Sequence, residues 1–273
     1  MVSYLHYIKG DDSFMGKGKG NRLFLLDELR GFAIICMVLF HAFFTASEMF
    51  GWPVATKLLH FFTPAEPYFA ALFILISGIS CNLSHSNLKR GLILLGISAA
   101  MTLVTYSGRF VGIYGIVIWF GILHLLAVCI LFVALTGRGL KKIHPIVAIL
   151  ICAFLFYFTM NVELYNGARL NFFSQTIALP PSLYETDILC PFGFYSRDFF
   201  SADYFPLLPW LFMFLIGYYL GMYVKKGKFP KFFYNKHIRP FAFIGKYTLW
   251  IYIIHQPVIY AVCYAVSFIK SHI

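Results

Sequence analysis

Arg22-Leu-Phe-Leu-Leu-Asp-Glu-Leu-Arg-Gly-Phe-Ala-Ile-Ile-Cys-Met-Val-Leu-Phe-His41 opens the chain's first long apolar run. Beyond Arg30 the residues are apolar almost without interruption to Ser47, which predicts a membrane helix over 29–47. Such a helix needs roughly 20 apolar residues to cross the hydrocarbon core. At helical spacing Asp27, Arg30, Ile34, Met37 and His41 share one face. Arg30 and His41 end about 20° apart around the axis and about 16 Å apart along it. An ionisable side chain inside a span costs roughly 2.5–3.5 kcal/mol on insertion scales, so it marks a default place to look for function. One reading is a polar track that leads from a charged pair at the membrane edge to a histidine at depth. The other is that Arg30 snorkels to headgroups while His41 makes one interhelical hydrogen bond.

Composition extends this reading to the whole chain. Of 273 residues, 60% are hydrophobic and 12% charged, against about 25% charged in a soluble domain. So few charges cannot cover a water-facing surface, and lipid must be the solvent for most of the exterior. The expected fold is an all-α polytopic helical bundle of about seven spans: 29–47, 66–85, 89–107, 111–136, 145–161, 204–224 and 241–268. With the N-terminus cytoplasmic and the C-terminus outside, only Lys57, Arg109, Arg169, Arg197 and Lys270 of the 22 Lys and Arg fall outside. That asymmetry is what the positive-inside rule requires. The net charge of +11 is therefore a topology signal and not a nucleic-acid footprint. Residues 1–22, with Gly-Lys alternation at 16–20, are expected to be a cytoplasmic polar tail. Residues 23–270 are expected to form a single transmembrane domain. Its outer loop, 162–203, is long and aromatic and holds Glu163, Glu185, Asp187, Asp198 and Asp203. A loop of that length is functional or disordered, and its aromatics favour a lid or a surface-lying segment.

Further polar residues lie in or beside apolar segments. His124 falls at the centre of the expected span 111–136. His255 lies in the last span and is followed by Gln256 and Pro257, where a missing backbone N–H permits a kink beside a cavity. Three intramembrane histidines on three helices could meet at one site, and imidazole suits proton transfer near neutral pH. His60 is expected in the outer loop between the first two spans, with Glu66 shortly after it. A nearby carboxylate would fix its tautomer. Arg90, beside Lys89, opens the third span as a topology anchor or as part of an anion site with Arg30. Gly217 and Gly221, and the Ser77-Gly78 step, are read as helix-packing positions. Five of the six cysteines sit in apolar runs, and no Cys/His metal spacing appears, so no metal and no disulfide framework are expected. No GxSxG, HExxH or P-loop pattern supports a hydrolase or an ATPase.

The opening stretch resembles the catalytic domain of heparan-α-glucosaminide N-acetyltransferase and its bacterial relatives. Further matches follow in order: Phe73-Ile-Leu-Ile-Ser-Gly78, Leu88-Lys-Arg-Gly91, Phe120-Gly-Ile-Leu-His124, Pro206-Leu-Leu-Pro-Trp210 and Gly245-Lys-Tyr-Thr-Leu-Trp-Ile-Tyr-Ile-Ile-His-Gln-Pro257. Together they span about 22–260. The resemblance implies an integral protein of the plasma or inner membrane that takes acetyl from cytosolic acetyl-CoA and passes it to a sugar on the far side with a histidine's help. It implies that Arg30 and Arg90, with Asp27, bind the anionic donor, a role that suits guanidinium. The reacting histidine would be His41 or His60, with His124 as a further candidate. His60 is the nearest counterpart by position of the lysosomal histidine, and His41 stands where that form has an amide. His255, Gln256, Glu66 and Asp203 would face the acceptor, a glycan or a lipid-linked sugar. Set beside the lysosomal form, the protein is expected to be shorter and to lack the extra luminal domain and several helices. The partners implied are the bilayer, acyl-CoA and the acceptor, with no nucleic acid; a homodimer is compatible. The residues also admit a non-enzymatic carrier or flippase for a small anion or lipid-linked substrate, and a bis-histidine haem or copper protein.

Overall fold

A computed structural model describes residues 23–111, 115–163, 168–225, 231–235 and 237–271. The expected polar tail 1–22, including Arg22 and the Gly-Lys run, lies outside the described residues, as do Lys226, Lys228 and Lys236 of the basic loop. Among the described residues the fold is all-α with one small hairpin. Helices α1 Phe24–Glu48, α2 Pro53–Phe62, α3 Glu66–Ser80, α4 Asn87–Ser107, α5 Ile122–Leu140 and α6 Pro145–Thr159 come first. Strands β1 Arg169–Phe172 and β2 Gln175–Ala178 follow, then α7 Leu207–Lys225, α8 Arg239–Lys246 and α9 Thr248–Ser271.

Among the described residues six helical stretches are long and apolar enough to cross a bilayer: Phe24–Glu48, Pro53–Ser80, Asn87–Phe110, Ile122–Leu140, Leu207–Val224 and Thr248–Ser271. The remaining expected segment is α6, apolar but with 15 residues, about 22 Å of helix against a core of about 30 Å. The side chains of α9 show which solvent the fold is built for. Trp250, Ile254, Val258 and Val262, four residues apart, are exposed, while Thr248, Tyr252, His255, Ile259 and Cys263 are buried. Apolar groups outside and polar groups within invert the soluble pattern, as lipid demands.

Two expectations need correction. The fourth span starts at Ile122 and not at 111, so His124 sits in the first helical turn and not at mid-membrane. Residues 116–121 are apolar but non-helical. Their backbone pairs instead with the segment before α7, through Ala202 N–H to Val117 O (2.8 Å) and Phe205 N–H to Phe120 O (3.0 Å). Buried Val117, Ile118 and Phe120 therefore mimic a helical run in composition alone. His60, expected in a loop, stands in the last turn of α2, which Pro53 starts at a position where its missing N–H costs nothing.

The described residues fall into two compact units, one within Lys19–Ile76 and Phe229–Ile273, the other within Ser77–Lys228. In the first, α1 crosses α8 at close range. A Cβ on Gly31 would overlap the carbonyl of Phe241, and a Cβ on Gly245 would overlap that of Asp27. The buried carboxylate of Glu28 accepts from the N–H groups of His237 (2.7 Å) and Ile238 (3.1 Å). It satisfies the start of α8, where no side chain of that helix's own does so. In the second unit Gly78 lies against the carbonyl of Phe214, and Gly221 against that of Ile79. The small residues thus serve close helix packing.

The outer loop is built and bonded. The β1–β2 hairpin turns at Phe173 and Ser174. Three tyrosines donate to backbone carbonyls: Tyr184 to Val162 (2.6 Å), Tyr195 to Glu163 (2.5 Å) and Tyr204 to Cys190 (2.7 Å).

Candidate active site

The first unit carries a polar cluster between α1 and α9. Gln256 of α9 stands between two side chains of α1. Its Oε1 accepts from the Thr45 hydroxyl (3.3 Å), and its Nε2 lies 3.2 Å from Nδ1 of His41. His255 is the next residue, and its ring centroid is 5.1 Å from that of His41. Nδ1 of His255 lies 2.6 Å from the carbonyl oxygen of Tyr252 in the preceding turn. His255 is buried and His41 half-buried. Pro257 lies within α9, so the carbonyl one turn before it lacks its usual helical donor. Of the residues singled out in the sequence, His41, His255 and Gln256 are thus brought together.

Lower on the same helix, Nη1 of Arg30 donates to Oδ1 of buried Asp27 at 2.8 Å. This is the expected charged pair, one turn apart and held within α1. Arg90 belongs to the other unit, where its Nη1 lies 3.5 Å from the carbonyl of Ser80. His60 is exposed on α2, and Glu66 is the half-buried first residue of α3.

The second unit uses His124 and Asp203 differently. Oδ2 of Asp203 accepts from Ile122 N–H (3.0 Å) at the first turn of α5. Nδ1 of His124 accepts from Gly121 N–H (3.2 Å), and Nε2 faces the Thr102 hydroxyl (3.1 Å). That hydroxyl donates to the carbonyl of Ile118 (2.7 Å), so it accepts from the imidazole. Both ring nitrogens are consumed in closing the start of α5 and its preceding segment. Gly121 is required there, because a Cβ would enter the Asp203 carboxylate. This polar network holds the start of α5 against its preceding segment.

A family model described as "Heparan-alpha-glucosaminide N-acetyltransferase, catalytic" matches residues 22–257. The chain belongs to this family. No curated protein and no solved structure matches it. The heparan-alpha-glucosaminide N-acetyltransferase match runs from the opening motif to Pro257 and so contains the whole cluster. It points to acyl-transfer chemistry in a membrane protein.

Sequence reasoning missed Thr45, Thr102 and Glu28. Thr45 could have been found, since it stands one turn beyond His41 on nearly the same face. Glu28 and Thr102 carry no such signal, because their partners, backbone and ring groups alike, lie well beyond a helical turn in sequence.

Proposed function

We propose that the protein is a membrane acyltransferase. It moves acetyl, or another acyl group, from cytoplasmic acyl-CoA to an amino or hydroxyl group of an extracytoplasmic glycan or lipid-linked sugar. The observation that carries this reading is the held imidazole of His41. Gln256 fixes its orientation from a second helix, and Thr45 fixes Gln256 in turn. A histidine whose ring is locked by a partner that is itself locked is preorganised for chemistry. His60 has an exposed ring, so His41 is the better candidate to meet the thioester carbonyl. Arg30 lies about 16 Å along the same helix, at the end assigned to the cytoplasm. Its guanidinium, steadied by Asp27, suits the phosphates of CoA. Arg90 opens α4 in the other unit and is a separate candidate for an anionic group of the donor.

The test is acetyl-CoA binding to detergent-purified protein, with Arg30→Gln and Arg90→Gln as comparisons. Saturable binding that weakens at least tenfold in folded Arg30→Gln supports the donor and its face. No binding at millimolar acetyl-CoA by well-folded wild-type protein overturns the acyltransferase reading.

A further inference from the structure

We infer that His41 and His255 divide the proton work of the site: His255 carries the acceptor's proton to the departing thiolate, and His41 only donates a hydrogen bond to the thioester carbonyl oxygen. This rests on the acyltransferase reading and deepens it.

The argument starts from what each ring nitrogen faces. Oε1 of Gln256 is turned to the Thr45 hydroxyl at 3.3 Å, so the amide N–H group faces His41 at 3.2 Å. Nδ1 of His41 is therefore an acceptor. A neutral imidazole has one proton, and in His41 that proton sits on Nε2. His255 has the opposite pattern. Its Nδ1 lies 2.6 Å from the Tyr252 carbonyl, and a carbonyl can only accept. Nδ1 of His255 carries the proton, and Nε2 holds the lone pair. Two imidazoles with centroids 5.1 Å apart and planes tilted by 53° are thus set in opposite tautomers by different partners. One can donate from Nε2, and the other can accept there.

These roles limit the chemistry. His41 cannot release its Nε2 proton without becoming an imidazolate, so it serves as a neutral electrophile that stabilises charge on oxygen. Nor can it carry the acyl group, since Nε2 holds a proton and Nδ1 holds the amide of Gln256. Nε2 of His255 carries the lone pair that a base needs. As the acceptor's nitrogen or oxygen bonds to the carbonyl carbon, its proton passes to Nε2 of His255. The imidazolium that forms is stabilised through Nδ1–H by the Tyr252 carbonyl. When the C–S bond breaks, the electron pair leaves on sulfur, and His255 returns the proton to the thiolate. Free CoA thiol and the N- or O-acyl product balance the step with both histidines restored.

The experiment uses the full chain in detergent, acetyl-CoA as donor and glucosamine as a probe amine, with the acetylated sugar quantified by mass spectrometry. His255→Gln should lower kcat about 100-fold or more while acetyl-CoA binding stays within about threefold of wild type. His41→Gln, which keeps an N–H donor, should hold kcat within about tenfold, and His41→Leu should lose at least about 100-fold. Undiminished turnover in His255→Gln, or His41→Gln as inactive as His41→Leu, overturns the division of roles. The comparison of the two His41 variants keeps the test decisive if His255→Gln fails to fold. Wild-type protein that neither binds nor turns over acetyl-CoA overturns the acyltransferase reading itself, a result distinct from wild-type turnover with an unaffected His255→Gln.

Discussion

Nε2 of Gln256 stands 3.2 Å from Nδ1 of His41, across 215 positions of sequence. The bond joins the first and last long helices and sets which nitrogen of His41 faces the rest of the site. Removing it leaves the ring in place but frees its tautomer. Gln256→Leu should therefore lower kcat by about 10- to 100-fold, as loss of an orienting partner does elsewhere, with KM for acetyl-CoA little changed. Thr45→Val, one bond further out, should cost less, about threefold to tenfold, since a neutral hydrogen bond contributes about 1 kcal/mol. Steady-state kinetics check both. A Gln256→Leu effect confined to KM would show that the amide binds substrate and does not position His41.

His124 and Asp203 should behave as structural residues. His124→Ala leaves the Gly121 N–H and the Thr102 hydroxyl without their partner in a buried place. Each such loss costs about 1–3 kcal/mol, and Asp203→Ala removes the acceptor of Ile122 N–H. The expected outcome is a lower thermal midpoint in detergent for both variants, with turnover per folded molecule close to wild type. A His124→Ala protein that melts like wild type yet is inactive would return His124 to the chemistry.

How far the sequence could be read depends on the kind of signal. The span over 29–47, the shared face of Asp27, Arg30 and His41, and the polar step at His255-Gln256 rest on local periodicity, and each is present in the structure. The start of α5 was not legible. Its upstream residues are apolar because they are buried against the segment before α7, and composition cannot tell a buried extended run from a helix. His124 looked like a mid-membrane histidine for that reason. The meeting of His41 with His255 was only a suggestion from depth, because their approach is set by how α1 and α9 cross. The close α1–α8 crossing at Gly31 and Gly245 was invisible for the same reason.

That crossing carries a stability prediction. At Gly31 and Gly245 an added methyl group meets the carbonyls of Phe241 and Asp27, and backbone cannot rotate away as a side chain can. Overpacking costs about 1–3 kcal/mol where the neighbours can shift and more where they are main chain. Gly31→Ala and Gly245→Ala should each yield little monodisperse protein by gel filtration. Gly96→Ala, where nothing lies within 4 Å of the new Cβ, should be tolerated. Equal yields of all three would mean that the two helices sit further apart than described.

The outer loop should respond to alkali in a defined direction. Burial pushes the Tyr184 hydroxyl from 10.0 up to about 12, with a smaller contribution from Tyr195 nearby. The hydroxyl donates to the Val162 carbonyl at 2.6 Å, and only its protonated form can do so. Because the folded value is raised, the stabilisation is fully present below about pH 10 and is lost as pH rises towards 12. Tyr204 is raised in the same direction, chiefly by burial, and its bond to Cys190 fails by the same route. Limited proteolysis across pH 8 to about 12, with a protease active throughout, should show cleavage within the loop rising before the helices melt. Tyr184→Phe lacks the donor at every pH, so its loop should be cut faster at neutral pH and should lose part of the alkaline increase. A cleavage profile identical in wild type and Tyr184→Phe would mean that the Tyr184–Val162 bond does not hold the loop, and that the aromatic contacts of Tyr184 with Phe194 suffice.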